Sequence, residues 1–213
     1  MARLKIKICG ITTPADALMS LEEGADLLGF IFCKSPRTVT ARTAREIVRR
    51  LPDARQGVGV FNDQPLDEVR SILAETGLTV AQLHGHETPE YASALGVPVI
   101  KSFTEFTAEA LEGLRKYDCW AYLLDVPKGQ AARTAIDPDF AVCAKKYGKV
   151  IASGKLNPDN VYEVIRRIRP FGVDSASGTE SAPGLKDRAK VRAFVQNARL
   201  ADRETQRIKV TVR

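Results

Sequence analysis

The 213-residue chain has little of what marks a membrane, secreted or metal-binding protein. No stretch approaches the roughly 18 uncharged apolar residues of a membrane span. The opening MARLKIKICG carries too short an apolar segment for a signal peptide, so a cytoplasmic protein is expected. Four cysteines, Cys9, Cys33, Cys119 and Cys143, are scattered without a CxxC pair, which argues against a disulfide framework and a zinc site. The two histidines, His84 and His86, have no converging ligand spacing around them, and no metal is expected. No glycine-rich dinucleotide fingerprint follows the first apolar run, and no linker or shift in composition divides the chain. The excess of positive charge is small: 32 Lys and Arg against 26 Asp and Glu give +6. That suits a phosphorylated small substrate as readily as it suits weak contact with nucleic acid.

What the sequence does have is alternation of two kinds of segment. Short apolar runs occupy Leu4–Cys9, Leu27–Phe32, Gly57–Phe61, Val80–Leu83, Val97–Phe103, Ala121–Val126, Lys149–Ala152 and Gly172–Asp174. Most lack clean period-two alternation, as strands buried on both faces do. Between them lie amphipathic stretches that open on Thr-Pro, Asp-Pro or a lone proline and close on Gly24, Gly77, Gly96 or Gly148. Eight strand–helix units of about 27 residues predict an α/β chain, a single-domain eight-fold β/α barrel. The alternative is a doubly wound open sheet. The barrel is expected over residues 1–200, with 201–213 a charged C-terminal tail or an added edge strand.

In a β/α barrel, function sits at the C-terminal ends of the strands. That places Cys9, Arg37, Gln82, His84, Asp125, Gly154 and Asp174 through Gly178 on one face. Cys9, at the end of the first strand in KICGIT, is a candidate base if nearby positive charge lowers its pKa. Asp125 closes the apolar run AYLLD, where a buried carboxylate is costly unless paired or used. Arg37, with Lys34 nearby, can hold a carboxylate or phosphate through two parallel hydrogen bonds. The glycine- and serine-containing loops after the last two strands, with Gly154, Lys155, Asp174, Ser177 and Gly178, suit a phosphate cradled by backbone N–H groups.

KICGIT, KSPR, GVFND, QLHGHE, LLD, LNPDNV and VDSASGTESAPGLKD follow one another from residue 6 to residue 187. In that order they resemble the phosphoribosylanthranilate isomerase family of tryptophan biosynthesis. The resemblance implies the eight-fold barrel and an Amadori rearrangement of N-(5-phosphoribosyl)anthranilate without a cofactor. It makes Cys9 the general base, Asp125 the general acid and Arg37 the residue that holds the anthranilate carboxylate. Gln82 and His84 would contact the substrate. Two segments depart from the pattern: the region after Asp125 reads VPKGQAARTAIDPDF instead of a glycine-rich run, and Lys155 precedes the LNP segment.

Two further readings stay open on sequence alone. Lys101, in VIKSF, would suit a Schiff-base lyase or another phosphosugar enzyme on the same barrel. Arg166-Arg167-Ile168-Arg169 would suit a diverged nucleic-acid binder. The partners expected are a phosphorylated small molecule, with neither nucleic acid nor a membrane, in a monomer or homodimer.

Overall fold

The computed structural model describes residues 3–53, 56–126 and 136–211. The departing segment after Asp125 falls mostly at 127–135, outside the described residues. Eight strands alternate with helices: β1 (Lys5–Cys9), α1 (Pro14–Glu22), β2 (Leu27–Ile31), α2 (Ala41–Val48), β3 (Gly57–Phe61), α3 (Leu66–Thr76), β4 (Val80–Leu83) and α4 (Pro89–Ala94). The order continues with β5 (Val99–Phe103), α5 (Ala108–Leu114), β6 (Ala121–Leu124), α6 (Pro138–Ala144), β7 (Val150–Ala152), α7 (Val161–Ile168) and β8 (Gly172–Ser175). A short antiparallel hairpin of β9 (Glu180–Ala182) and β10 (Leu185–Lys186) precedes α8 (Arg188–Thr211).

The helix starts follow from local chemistry. The Thr13, Thr88 and Asp137 side chains each accept a backbone N–H of the first turn, and Pro14, Pro89 or Pro138 follows where no N–H is needed. Each of β1 to β7 pairs in parallel with the strand that follows it, and β8 pairs with β1 from Lys5↔Gly172 to Ile8↔Ser175. That last ladder closes the sheet into a barrel and excludes the open doubly wound alternative. The strand start expected at Val97 moves to Val99, because Pro98 has no N–H to give to a ladder.

The C-terminal segment corrects an expectation. Residues 201–211 are neither tail nor edge strand but the continuation of α8. Phe194, Ala198, Ala201 and Thr205 are all buried, so one stripe at helical spacing runs past Leu200 without a break. The basic run at 166–169 is likewise no continuous patch. Ile168 is buried in the core, and Arg166 lies over the Tyr162 ring and reaches Glu204.

Two apolar layers hold the fold. The outer one, between strands and helices, joins Leu28, Phe30, Leu83 and Leu124 to Ile47, Val69 and Phe194. The inner one fills the N-terminal end of the barrel with Leu27, Val58, Val80, Ile100, Ala121, Leu123 and Ile151. Because side chains alternate along a strand, the residues two positions further on also face the barrel interior, at its other end.

Candidate active site

A cavity of about 410 Å³ opens at the C-terminal ends of the strands. The expected residues Cys9, Arg37, Gln82, His84, Asp125, Gly154, Lys155, Asp174 and Ser177 all line it. Among the described residues, no group of three His, Cys, Asp or Glu side chains is placed to hold a metal ion.

One wall is built around Cys9, which is 5% exposed. Lys7, two residues earlier on the same face of β1, donates from Nζ to Asp174 Oδ1 at 2.9 Å. Ser153 Oγ lies 3.4 Å from the other Asp174 oxygen. Burial is the largest influence on the Cys9 thiol and pushes its pKa up; the neighbouring Lys7 and Lys186 ammonium groups pull it back only in part. The positive charge expected near Cys9 is there, but burial outweighs it and the thiol is not pulled below its ordinary value. For Lys7, burial alone would lower the pKa, but Asp174 and Cys9 outweigh it and the group is held above its ordinary value.

Behind Cys9 the β9–β10 hairpin supplies a second ionic set. Lys186 is fully buried and donates to Cys9 O at 2.6 Å, to Ala176 O at 3.1 Å and to Glu180 Oε1 at 2.9 Å. Glu180 also accepts from Arg37, at 2.7 Å from Nε and 2.6 Å from Nη2. Burial would raise the Glu180 carboxyl, yet the bonds from Arg37 and Lys186 leave it below its usual range. Arg37 was expected to be open to a ligand carboxylate, but two of its three nitrogens are already taken by Glu180. Nη1 makes no hydrogen bond to the described residues.

The opposite wall carries Asp125. Its Oδ2 lies 3.4 Å from His84 Nε2. His84 Nδ1 lies 3.3 Å from Gln82 Nε2, which is 3.4 Å from Ser102 Oγ. Gln82 and His84 thus join in a line that ends on Asp125. The Gln82 Oε1 atom is buried without a hydrogen-bond partner. The loop that carries His84 is fastened from below: Lys101 Nζ donates to Gly85 O at 2.6 Å and pairs with Glu87 Oε2 at 3.2 Å. Lys101 does not line the cavity, so the Schiff-base alternative loses its lysine.

At the third side, Gly154, Lys155 and Ser177 line the expected phosphate end. Lys155 adopts φ 55°, a left-handed conformation that a side chain resists. Two of the expected phosphate residues also meet other groups. Gly178 packs closely on the loop after β7, where a Cβ would sit 2.0 Å from Leu156 O. The Asp174 carboxylate can only accept, and it is turned to Lys7 and Ser153, so it has no donor for a phosphate.

Lys7, Glu180 and Lys186 were not singled out from sequence. For Lys7 a signal existed: it stands two residues before the inward-facing Cys9. Glu180 and Lys186 sit on strands of three and two residues, too short to leave a pattern.

Known proteins of one family are similar to this chain over nearly its whole length. Residues 6–197 match the family model described as N-(5'-phosphoribosyl)anthranilate (PRA) isomerase. An N-(5'-phosphoribosyl)anthranilate isomerase of Geotalea uraniireducens (strain Rf4) is 45% identical over 199 residues, covering 92% of this chain and 98% of that protein. The crystal structure of phosphoribosyl anthranilate isomerase from Thermus thermophilus superposes with a TM-score of 0.82 at 39% identity, covering 91% of this chain and 98% of that one. A further structure of the enzyme, in complex with reduced 1-(o-carboxyphenylamino)-1-deoxyribulose 5-phosphate, gives 0.79 at 33% identity, covering 92% of this chain and 98% of that one.

Proposed function

The chain belongs to the N-(5'-phosphoribosyl)anthranilate isomerase family, and from that premise we propose that Cys9 and Asp125 are the base and acid of its Amadori rearrangement. The substrate is N-(5-phosphoribosyl)anthranilate and the product 1-(2-carboxyphenylamino)-1-deoxyribulose 5-phosphate, a step of tryptophan biosynthesis. The observation that supports the roles is placement. A thiol on β1 and a carboxyl just after β6 line one cavity from opposite walls of a closed barrel.

The steps need no redox partner. Asp125 gives a proton to the ribose ring oxygen, the bond from C1′ to that oxygen breaks, and the anthranilate nitrogen supplies electrons to form a protonated Schiff base. Cys9, as thiolate, removes the C2′ proton, and the electrons move onto the nitrogen to leave an enolamine. Loss of the enol proton and protonation at C1′ give the aminoketone, so atoms balance. Each such group typically supplies about 10²–10⁴-fold. His84 steadies the Asp125 carboxyl through the 3.4 Å contact, and Gln82 steadies His84. Arg37 Nη1 takes the anthranilate carboxylate, while Lys155, Ser177 and the backbone at Gly154 receive the phosphate.

The test is the decay of anthranilate-adduct fluorescence with purified protein, together with inhibition by inorganic phosphate. Turnover that phosphate competes with, and a melting temperature that phosphate raises, are expected. Absence of turnover overturns the reaction. Phosphate that neither inhibits nor stabilises overturns the phosphate site alone.

A further inference from the structure

Lys7 is only 1% exposed and lies inside the barrel, where an uncharged side chain of similar size would fill the space at less cost. It does not line the cavity, and the rearrangement as written gives it no task. Its surroundings are nevertheless specific. One side of the ammonium is held by Asp174 at 2.9 Å, and Ser153 steadies the far oxygen of that carboxylate. The other side lies next to the Cys9 sulfur, close enough for the two charges to act on each other. The two groups meet above Gly29, the β2 residue paired with Cys9. A Cβ on Gly29 would sit 2.6 Å from Cys9 Sγ and 3.0 Å from Lys7 Nζ, so the absence of a side chain there is what lets them share the space.

We infer that Lys7 is a positioning residue that stabilises the Cys9 thiolate when Cys9 gives up its proton, against the burial that disfavours it. The inference rests on Cys9 being the base. The charge balance around the thiol supports it. Lys7, Lys186 and Arg37 are cations, and Asp174 and Glu180 are the carboxylates bonded to them. One positive charge is left over, and a thiolate at Cys9 balances it. The groups that act on Cys9 come from several elements: Lys7 on β1, Asp174 on β8, Lys186 on β10 and Arg37 after β2. Burial and Asp174 both favour the neutral thiol. Lys7 is the strongest influence in the other direction and Lys186 the next. Removing Lys7 therefore leaves burial opposed mainly by Lys186, at the far side of the sulfur's own backbone.

Alkylation of Cys9 by iodoacetamide, followed across pH by peptide-resolved mass spectrometry, reads this without using turnover. In Lys7→Met the alkylation midpoint should rise by about one pH unit or more, the scale of one lost neighbouring charge. Lys7→Arg should restore most of it. Asp174→Asn should shift the midpoint the opposite way, downward. The acid limb of kcat/KM should move with the midpoint in each variant. A folded Lys7→Met with an unmoved midpoint, or one that loses activity evenly at all pH values, overturns the inference. Should Lys7→Met not fold, an unmoved or raised midpoint in Asp174→Asn does the same. Full activity in Cys9→Ser would overturn the role of Cys9 as base and leave the alkylation shifts to stand or fall on their own.

Discussion

At the N-terminal end of the barrel, Leu27, Val80, Ile100, Leu123 and Ile151 close the interior with apolar side chains. Two residues further along the same strands or their extensions stand Gly29, Gln82, Ser102, Asp125 and Ser153. Every one of these steps crosses from oil to chemistry within about 7 Å of strand. Both ends are buried, so burial alone does not distinguish them. What differs is how each buried group is satisfied. The lower end needs only close packing, whereas at the upper end buried charges sit in ion pairs: Lys7 with Asp174, Lys186 and Arg37 with Glu180, Lys101 with Glu87. Buried ion pairs are weak sources of stability, because desolvation offsets most of the attraction. The molecule is accordingly held together from below and around, and it keeps its costly groups where a ligand enters.

Substitutions at the two ends should separate these roles. The largest effect is expected at Cys9. Cys9→Ser should retain the fold and lose about 10²–10⁴-fold in kcat, because a hydroxyl is a far weaker base than a thiol at neutral pH. Near-normal turnover would remove Cys9 from the mechanism. Ile100→Ala, two residues before Ser102 and fully buried, is the counterpart. It should lower stability by about 2–5 kcal/mol while the folded fraction keeps its kcat within about twofold. Denaturant unfolding and assays well below the melting temperature check both halves; a large loss of kcat without loss of stability would erase the distinction between the ends. The smallest effect is expected at Lys155. Lys155→Gly relieves a left-handed backbone worth about 1–2 kcal/mol and gives back about 0.5–1 kcal/mol through chain entropy. Stability should change little, and KM should rise if the ammonium meets the phosphate. An unchanged KM would leave the phosphate to Ser177 and the backbone donors.

The same comparison explains what was legible in the sequence. The barrel could be read from eight apolar runs and their Thr-Pro and Asp-Pro helix starts, because those signals are local. The mouth was legible only where a strand ended on a reactive residue, as at Cys9 and Asp125. Lys7 escaped notice for a physical reason. In KIKIC the apolar residues Ile6 and Ile8 face the helices, in the thicker outer layer, while Lys5, Lys7 and Cys9 face the barrel axis. A strand with two buried faces offers no rule for which face carries the polar residue. Glu180 and Lys186 lie 143 and 177 residues from Arg37 and Cys9, the groups they bind, so closure of the chain had to bring them there. The continuation of α8 was missed because Arg203, Glu204 and Arg207 made its last turns look like a tail, while Ala201 and Thr205 carry the buried stripe with small side chains.

The central claim is that two groups on opposite walls of one cavity divide the proton transfers between them, and Asp125 is where it can be tested most directly. Asp125→Asn keeps the size of the side chain and its reach to His84 but cannot give up a proton to the ring oxygen. Steady-state anthranilate-adduct fluorescence with Asp125→Asn should give a KM within about threefold of the parent and a kcat lower by about 10²-fold or more, the pattern of an interaction used only in the transition state. A kcat within about threefold of the parent would contradict the account and make Asp125 a structural acceptor for His84.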